Sequence, residues 1–197
     1  ASWLVKKLMD NGITVHAAVR NTDDSIKLAH LKNLENGSSG KIIFFKSDLL
    51  EDGSYLEAMD GCSIVFHTAS PFNFRVTDNK KGFIDPAFIG TQNVLKSVNN
   101  TESVKRVVLT SSCAAIYGDA ADIAMYPGQI MTEEMWNTSS TETHNAYSYS
   151  KTIAGLNGYK VRVLFSPITN GFDDEMIDTE AKMDDMKENV AKMILRE

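Results

Sequence analysis

Ser63-Ile64-Val65-Phe66-His67-Thr68, the span from Phe83 to Asn99, and Lys105-Arg106-Val107-Val108-Leu109-Thr110-Ser111 together decide the fold. The first and last runs are apolar nearly throughout, without the in–out alternation of a strand that has one wet face, so both faces of each are covered. Between them Phe88, Ile89, Val94, Leu95 and Val98 recur at helical spacing. A helix joining two such runs is the crossover that parallel strands require. Working outward, Ile13–Val19 and Lys41–Lys46 read as two more strands, linked by a helix over Ser25–Leu34 and the loop Asn36-Gly37-Ser38-Ser39-Gly40. Ala1 to Asn11 carries Trp3, Leu4, Leu8 and Met9 as a helical stripe closed by Asn11-Gly12, and Ser54–Met59 forms a short helix. Apolar strands alternating with amphipathic helices predict an α/β, doubly wound parallel sheet, which binds ligands at the carboxyl ends of its strands.

Composition narrows the function classes. The chain has 197 residues, 43% of them hydrophobic, enough to bury one sizeable core. A net charge of -6 argues against a general nucleic-acid binder. No apolar run reaches the ~18 residues of a membrane-spanning helix, and Ala1-Ser2-Trp3-Leu4-Val5-Lys6-Lys7 reads as neither a signal nor a transit peptide. Cys62 and Cys113 have no metal-ligand spacing and make no disulfide framework, so no metal and a reducing, cytoplasmic setting are expected.

Chemistry concentrates where the strands end. In Asn145-Ala146-Tyr147-Ser148-Tyr149-Ser150-Lys151, Tyr147 and Lys151 stack on one helix face. A phenol titrates near ~10, and a neighbouring ammonium favours the phenolate and draws that value down, making a tuned acid or base. Thr110-Ser111-Ser112 places hydroxyls at a strand tip, where one can hold a carbonyl oxygen while the tyrosine protonates it. Arg20 follows the Ile13–Val19 strand, either as a solvated side chain or, in a dinucleotide fold, as the partner of a ribose 2′-phosphate. Asp48-Leu49 ends the next strand, as a turn or as a border for adenine, and His67-Thr68-Ala69-Ser70-Pro71 offers small residues for close backbone approach.

Taken in order, Val15-His16-Ala17-Ala18-Val19-Arg20, Ser47-Asp48-Leu49, Val65-Phe66-His67-Thr68-Ala69-Ser70-Pro71, Gly90-Thr91-Gln92-Asn93-Val94-Leu95, Arg106-Val107-Val108-Leu109-Thr110-Ser111-Ser112 and Tyr147-Ser148-Tyr149-Ser150-Lys151 resemble a known family. It is the extended short-chain dehydrogenase/reductases of the dihydroflavonol 4-reductase and cinnamoyl-CoA reductase type, in the NAD-dependent epimerase/dehydratase superfamily. The resemblance covers about Ala1 to Ala154 and implies a Rossmann-like domain using NADP(H). It further implies that Arg20 and Lys27 grip the 2′-phosphate, and that Asp48 and Leu49 border the adenine. Thr68, Ala69 and Ser70 would lie along the ribose and nicotinamide, with Lys151 on that ribose. Ser112, Tyr147 and Lys151 would be the catalytic triad acting on a small-molecule carbonyl, with Lys151 lowering the Tyr147 pKa. More distant epimerases would align their serine with Cys113, but a thiol is a weak donor to an oxyanion, which favours Ser112.

The pattern is broken in two places. The family opens with a strand and a glycine-rich turn that seats the pyrophosphate on a helix N-terminus. Here the first residues already match that helix, so a sheet lacking its first, central strand is expected, with backbone groups left unpaired. After Lys151-Thr152-Ile153-Ala154 the family helix continues, whereas Gly155-Leu156-Asn157-Gly158 would end it, and Tyr159–Phe165 reads as a strand leading to Pro167, near the nicotinamide by resemblance. Residues 1–170 are therefore expected to form the cofactor domain. Residues 171–197 would be a helical remnant of a largely missing substrate domain, with Met183, Met186, Val190, Met193 and Ile194 as its packing face. The expected function is an NADPH-dependent carbonyl reductase. The alternatives are a non-catalytic paralogue that binds cofactor or a partner, and a sugar-nucleotide epimerase.

Overall fold

The computed structural model describes residues 1–71, 76–132 and 135–156, and the backbone alone of 191–195. Five parallel strands form one sheet in the order β2-β1-β5-β3-β4. They are β1 (Thr14–Val19), β2 (Lys41–Lys46), β3 (Cys62–His67), β4 (Arg106–Leu109) and β5 (Ala191–Leu195). The helices are α1 (Ser2–Asp10), α2 (Ser25–Lys32), α3 (Leu56–Met59), α4 (Asp85–Asn99) and α5 (Ala146–Gly155). Among the described residues no helix is long and apolar enough to cross a membrane.

Strand β1 shows how the period-two rule divides the core. Val15, Ala17 and Val19 face one layer with Val5, Leu8 and Met9 of α1 and Leu28 and Leu31 of α2. Ala18 faces the other, with Met59 of α3, Val65 of β3 and Val94 of α4. Helices thus cover both faces, and Val15, Ala17, Ala18, Val19 and Val65 are buried between them. Gly40 lets α1 and β2 meet, because a Cβ there would collide with the Ile13 carbonyl oxygen and the Met9 backbone. His16 also sits inside, its Nδ1 2.9 Å from the Ala58 carbonyl oxygen and its ring centroid 4.7 Å from that of Phe45.

Some expected faces are displaced. In α4 the buried positions are Ala87, Gly90, Thr91, Val94, Leu95 and Ser97, whereas Phe88 and Ile89 are each 38% exposed. A helix turns ~100° per residue, so an inward stripe through Ala87, Thr91 and Val94 carries Phe88 and Ile89 out of the core. Trp3 is likewise exposed, and Val5 takes an inward place beside Leu8 and Met9.

The gap expected at the sheet centre is filled. Strand β5 runs parallel between β1 and β3, with Val15 to Ala18 opposite Lys192 to Leu195 on one side and Ile64 to His67 opposite the same four residues on the other. Met193 and Ile194 therefore lie on a strand and not on the expected helix. Two sheet edges facing each other supply ladder partners for both sides of an extended segment, and this outweighs the weak helical preference of five residues. The rest of the expected C-terminal helix, the Tyr159–Phe165 strand and Pro167 lie outside the described residues.

If β5 joins the half-sheets, Ile194→Pro should remove a ladder donor and shift the urea midpoint by the equivalent of at least ~1–3 kcal/mol. Unchanged unfolding would show that β5 contributes nothing to the sheet.

Candidate active site

The carboxyl ends of β3 and β4 lie side by side, with His67 paired to Leu109 and the Thr110 amide donating to the His67 carbonyl at 2.9 Å. The hydroxyl-bearing tip Thr110–Ser112 and the small-residue tip Thr68–Ser70 therefore meet at one place on the sheet edge, with α5 lying against them. Leaving β4, Ser112 is extended (φ −152°, ψ 152°) and caps a short turn, its Oγ accepting from the Ala114 amide at 3.2 Å. That cap aims the side chain out of the strand toward α5.

On α5, Tyr147 and Lys151 share a face as the spacing predicts. The Ser112 side chain lies close enough to the Tyr147 phenol to favour its phenolate. Its ring meets Phe83 edge-on, with centroids 6.0 Å apart and planes at 79°. Lys151 is only 7% exposed, its Nζ donating to Ser70 Oγ and lying 5.4 Å from the centre of the Tyr147 ring. Four residues from three chain segments, Ser70, Ser112, Tyr147 and Lys151, thus form one connected cluster. The helix ends beside Gly155, where an added Cβ would stand 2.7 Å from the Trp136 ring.

The electrostatics differ from expectation in one respect. The Tyr147 phenol lies above its ordinary value: burial raises it, the Ser112 hydrogen bond lowers it by less, and Cys113 raises it again. The Lys151 ammonium, bonded to Ser70 and set over the ring, does not reverse the rise that burial causes. The phenol accordingly stays protonated at neutral pH, the form a proton donor needs. Behind Lys151, His67 is 3% exposed, and burial, with the Lys151 ammonium adding to it, pushes its imidazole down to about 4. Its Nε2 lies 3.4 Å from Thr91 Oγ1. Cys62 is also driven from reactivity, burial and then Asp60 raising its thiol to about 12.

The other expected residues lie on the far half of the sheet. Arg20 is exposed directly after β1, beside the end of β2, since Val19 pairs with Lys46. Lys27 points to Asp24 at 3.3 Å from an open surface. Asp48 turns the chain, its Oδ1 accepting from the Leu50 amide at 2.8 Å, and Leu49 packs against Gly90 while its carbonyl accepts from Asn93 at 2.8 Å. Arg20 and Asp48 therefore flank one end of the edge, and the Ser112–Tyr147–Lys151 cluster the other. The residue types read at the strand tips did not reveal Phe83, Asn137 or the Asp119–Asn145 contact. Asp119-Ala120-Ala121-Asp122 has the spacing of a capping box, the one local signal that this loop is ordered.

Because His67 is buried neutral, the unfolded chain binds the extra proton as pH falls through the ordinary imidazole range, and stability is lost between about 6.5 and about 4. The loss is about 3 kcal/mol at ~1.4 kcal/mol per pK unit. His67→Gln should flatten that part of the stability–pH curve in urea unfolding, and an unchanged acid slope would contradict the assignment.

Comparison with known proteins gives the family. The profile of the NAD dependent epimerase/dehydratase family matches residues 1–156. The chain is 42% identical over 157 residues to a cinnamoyl-CoA reductase of Medicago truncatula, covering 78% of this chain and 47% of that protein. It is 37% identical over 159 residues to an anthocyanidin reductase of Arabidopsis thaliana, covering 78% and 45%. The crystal structure of Gre2 in complex with NADPH from Candida albicans superposes with a TM-score of 0.62 at 30% identity, over 78% of this chain and 47% of that one. Vestitone reductase from alfalfa superposes with a TM-score of 0.55 at 31% identity, over 78% and 46%. The chain thus spans about half the length of the curated relatives it matches. With its parallel sheet and a matched region that includes the strand-tip serine and the Tyr147–Lys151 helix, the chain belongs to the NAD dependent epimerase/dehydratase family.

Proposed function

We propose that this chain is the cofactor-side part of an NADPH-dependent reductase that transfers hydride to the carbonyl carbon of a small molecule. The contact between the Tyr147 phenol and the Ser112 hydroxyl, with Lys151 beneath it on the same helix, carries the reading. Relatives whose names record reduction of cinnamoyl-CoA and anthocyanidin, and a structural neighbour in complex with NADPH, support it.

The residues present fit the cofactor. Arg20 after β1 is an exposed guanidinium suited to a 2′-phosphate, which an acid at that place would repel. Lys27 adds charge on the next helix, and Asp48 and Leu49 border the adenine side. Thr68, Ala69, Ser70 and Lys151 line the ribose side, where the Lys151–Ser70 hydrogen bond marks a donor and an acceptor held ready for hydroxyls. Pro167 is assigned there by resemblance alone. Bound NADPH would supply the hydride.

The protein's own residues would handle the oxygen. Ser112 donates a hydrogen bond to the carbonyl oxygen and holds it against Tyr147. As negative charge develops there, the Tyr147 phenol gives up its proton to it, and the C=O becomes CH–OH. Lys151, buried beside the ring, stabilises the phenolate left behind. That stabilisation acts against the burial that holds the resting phenol high.

The experiment pairs NADPH binding, followed by fluorescence, with NADPH consumption in the presence of aldehydes, flavanonols and acyl-CoA thioesters. Tyr147→Phe should lower turnover by at least ~100-fold and leave NADPH affinity unchanged. Arg20→Glu should weaken NADPH binding by ~10–100-fold, as expected for a lost charge-assisted hydrogen bond. Equal turnover in Tyr147→Phe would reject the proton donor. NADPH binding without turnover in the wild type is the result a non-catalytic paralogue would give.

A further inference from the structure

The start of α5 is held in an unusual way. Asn145, its N-cap residue, is left-handed (φ 53°, ψ 51°), a conformation that asparagine tolerates better than most residues other than glycine. An asparagine at this place normally turns its side chain back to cap its own helix. Asn145 makes no such cap. Its Nδ2 instead reaches across to the loop after Ser112, donating to the Gly118 carbonyl at 3.0 Å and to Asp119 Oδ1 at 2.9 Å. The other carboxylate oxygen, Asp119 Oδ2, takes His144 Nε2 at 2.7 Å. Two bonds from one carboxylate thus grip the two residues that precede Ala146 and Tyr147.

The loop side is tied down in turn. Asp122 Oδ2 accepts from the Gly118 amide at 2.9 Å, the Asp119 amide at 3.0 Å and Ser139 Oγ at 2.6 Å. Gly118 has no room for a side chain, since a Cβ would run into the hydroxyls of Ser139 and Ser140. Asn137 then closes the circuit, its Nδ2 donating to the Ala114 carbonyl at 3.1 Å and its amide to the Ala115 carbonyl at 2.9 Å. Ala114 and Ala115 belong to the turn capped by Ser112. An unbroken series of hydrogen bonds therefore runs from the turn bearing Ser112 to the residue two before Tyr147. His144 and Asn145 are exposed, and bonds at such a site contribute little to global stability. What they fix is the placement of the first turn of α5.

We propose that Asn145 and Asp119 are positioning residues, which clamp the start of α5 so that the Tyr147 phenol meets the Ser112 hydroxyl. This rests on the reductase reading for its consequence in catalysis, but not for its geometry. A displacement of ~1 Å at reacting groups is enough to cost ~100-fold in rate.

Asn145→Gly tests it, because glycine keeps the left-handed backbone and removes only the amide. The chain is labelled with carbon-13 at tyrosine Cζ, the Tyr147 signal being assigned by its loss in Tyr147→Phe. At neutral pH, Asn145→Gly and Asp119→Ala should move the Tyr147 Cζ shift in the direction that Ser112→Ala moves it. Adding Asn145→Gly to Ser112→Ala should produce no further movement. The urea midpoint of Asn145→Gly should match wild type, and turnover should fall about tenfold with the NADPH KM unchanged. A Tyr147 signal unmoved by Asn145→Gly, or unmoved by Ser112→Ala, overturns the proposal. If the signal moves but no carbonyl is reduced by wild type, the clamp stands and the reductase reading falls.

Discussion

The structure depends on the backbone ladder between β5 and its two neighbours. Strands β1 and β2 pair with each other, as do β3 and β4, and β5 alone among the described strands bonds to both halves. Without it, N–H and C=O groups along one edge of β1 and one edge of β3 would face each other across the core. Buried unpaired backbone groups are costly enough that native chains rarely keep them. The segment 191–195 meets that demand with backbone alone, in parallel register to both partners. In an open α/β sheet ligands bind at the carboxyl ends of the strands, where strand order turns outward, and β5 lies between the two halves that turn away from each other.

Everything proposed for the site follows from holding the two halves at a fixed separation. The β1–β2 half presents Arg20 and Asp48, and the β3–β4 half presents Ser70 and Ser112. Helix α5 adds Lys151, bonded to Ser70 at the tip of β3, and Tyr147, set beside Ser112 at the tip of β4. The charge of Lys151 is carried inside the protein by Ser70 and by the face of the Tyr147 ring, and His67 stays neutral behind it. A single buried cation beneath a neutral phenol is an arrangement that favours charge arriving on the phenol oxygen. That is an asymmetry toward proton donation, and it is set by burial more than by direct pairing.

Much of this was readable from residues. The apolar runs at Ser63–Phe66 and Arg106–Leu109, joined by a helical stripe, fit a parallel sheet, and the residues at their ends mark the cluster. Tyr147 and Lys151 share a face because helical spacing requires it. Strand β5 differs from the expected helix because Ala191-Lys192-Met193-Ile194-Leu195 is too short for periodicity to separate helix from strand, and pairing with distant segments decides it. Phe88 and Ile89 misled for the opposite reason: large apolar residues marked a face that Ala87, Gly90 and Thr91, small enough for close packing, in fact occupy. The direction of the Tyr147 pKa is not legible because sequence shows that Lys151 is near, not how far the phenol is buried. The Asn145 contact joins residues 26 apart through a side-chain amide, a kind of pairing that leaves no periodic trace.

The account is tested most directly by following the hydride. Incubating the chain with a carbonyl substrate and NADPH deuterated at the transferring position, then analysing the alcohol by mass spectrometry, reports whether the Tyr147–Ser112 pair sits where reduction occurs. The account predicts an alcohol carrying one deuterium on the carbinol carbon, and none formed by Ser112→Ala with Tyr147→Phe. An alcohol without deuterium, or the same labelled alcohol from that double variant, would contradict it.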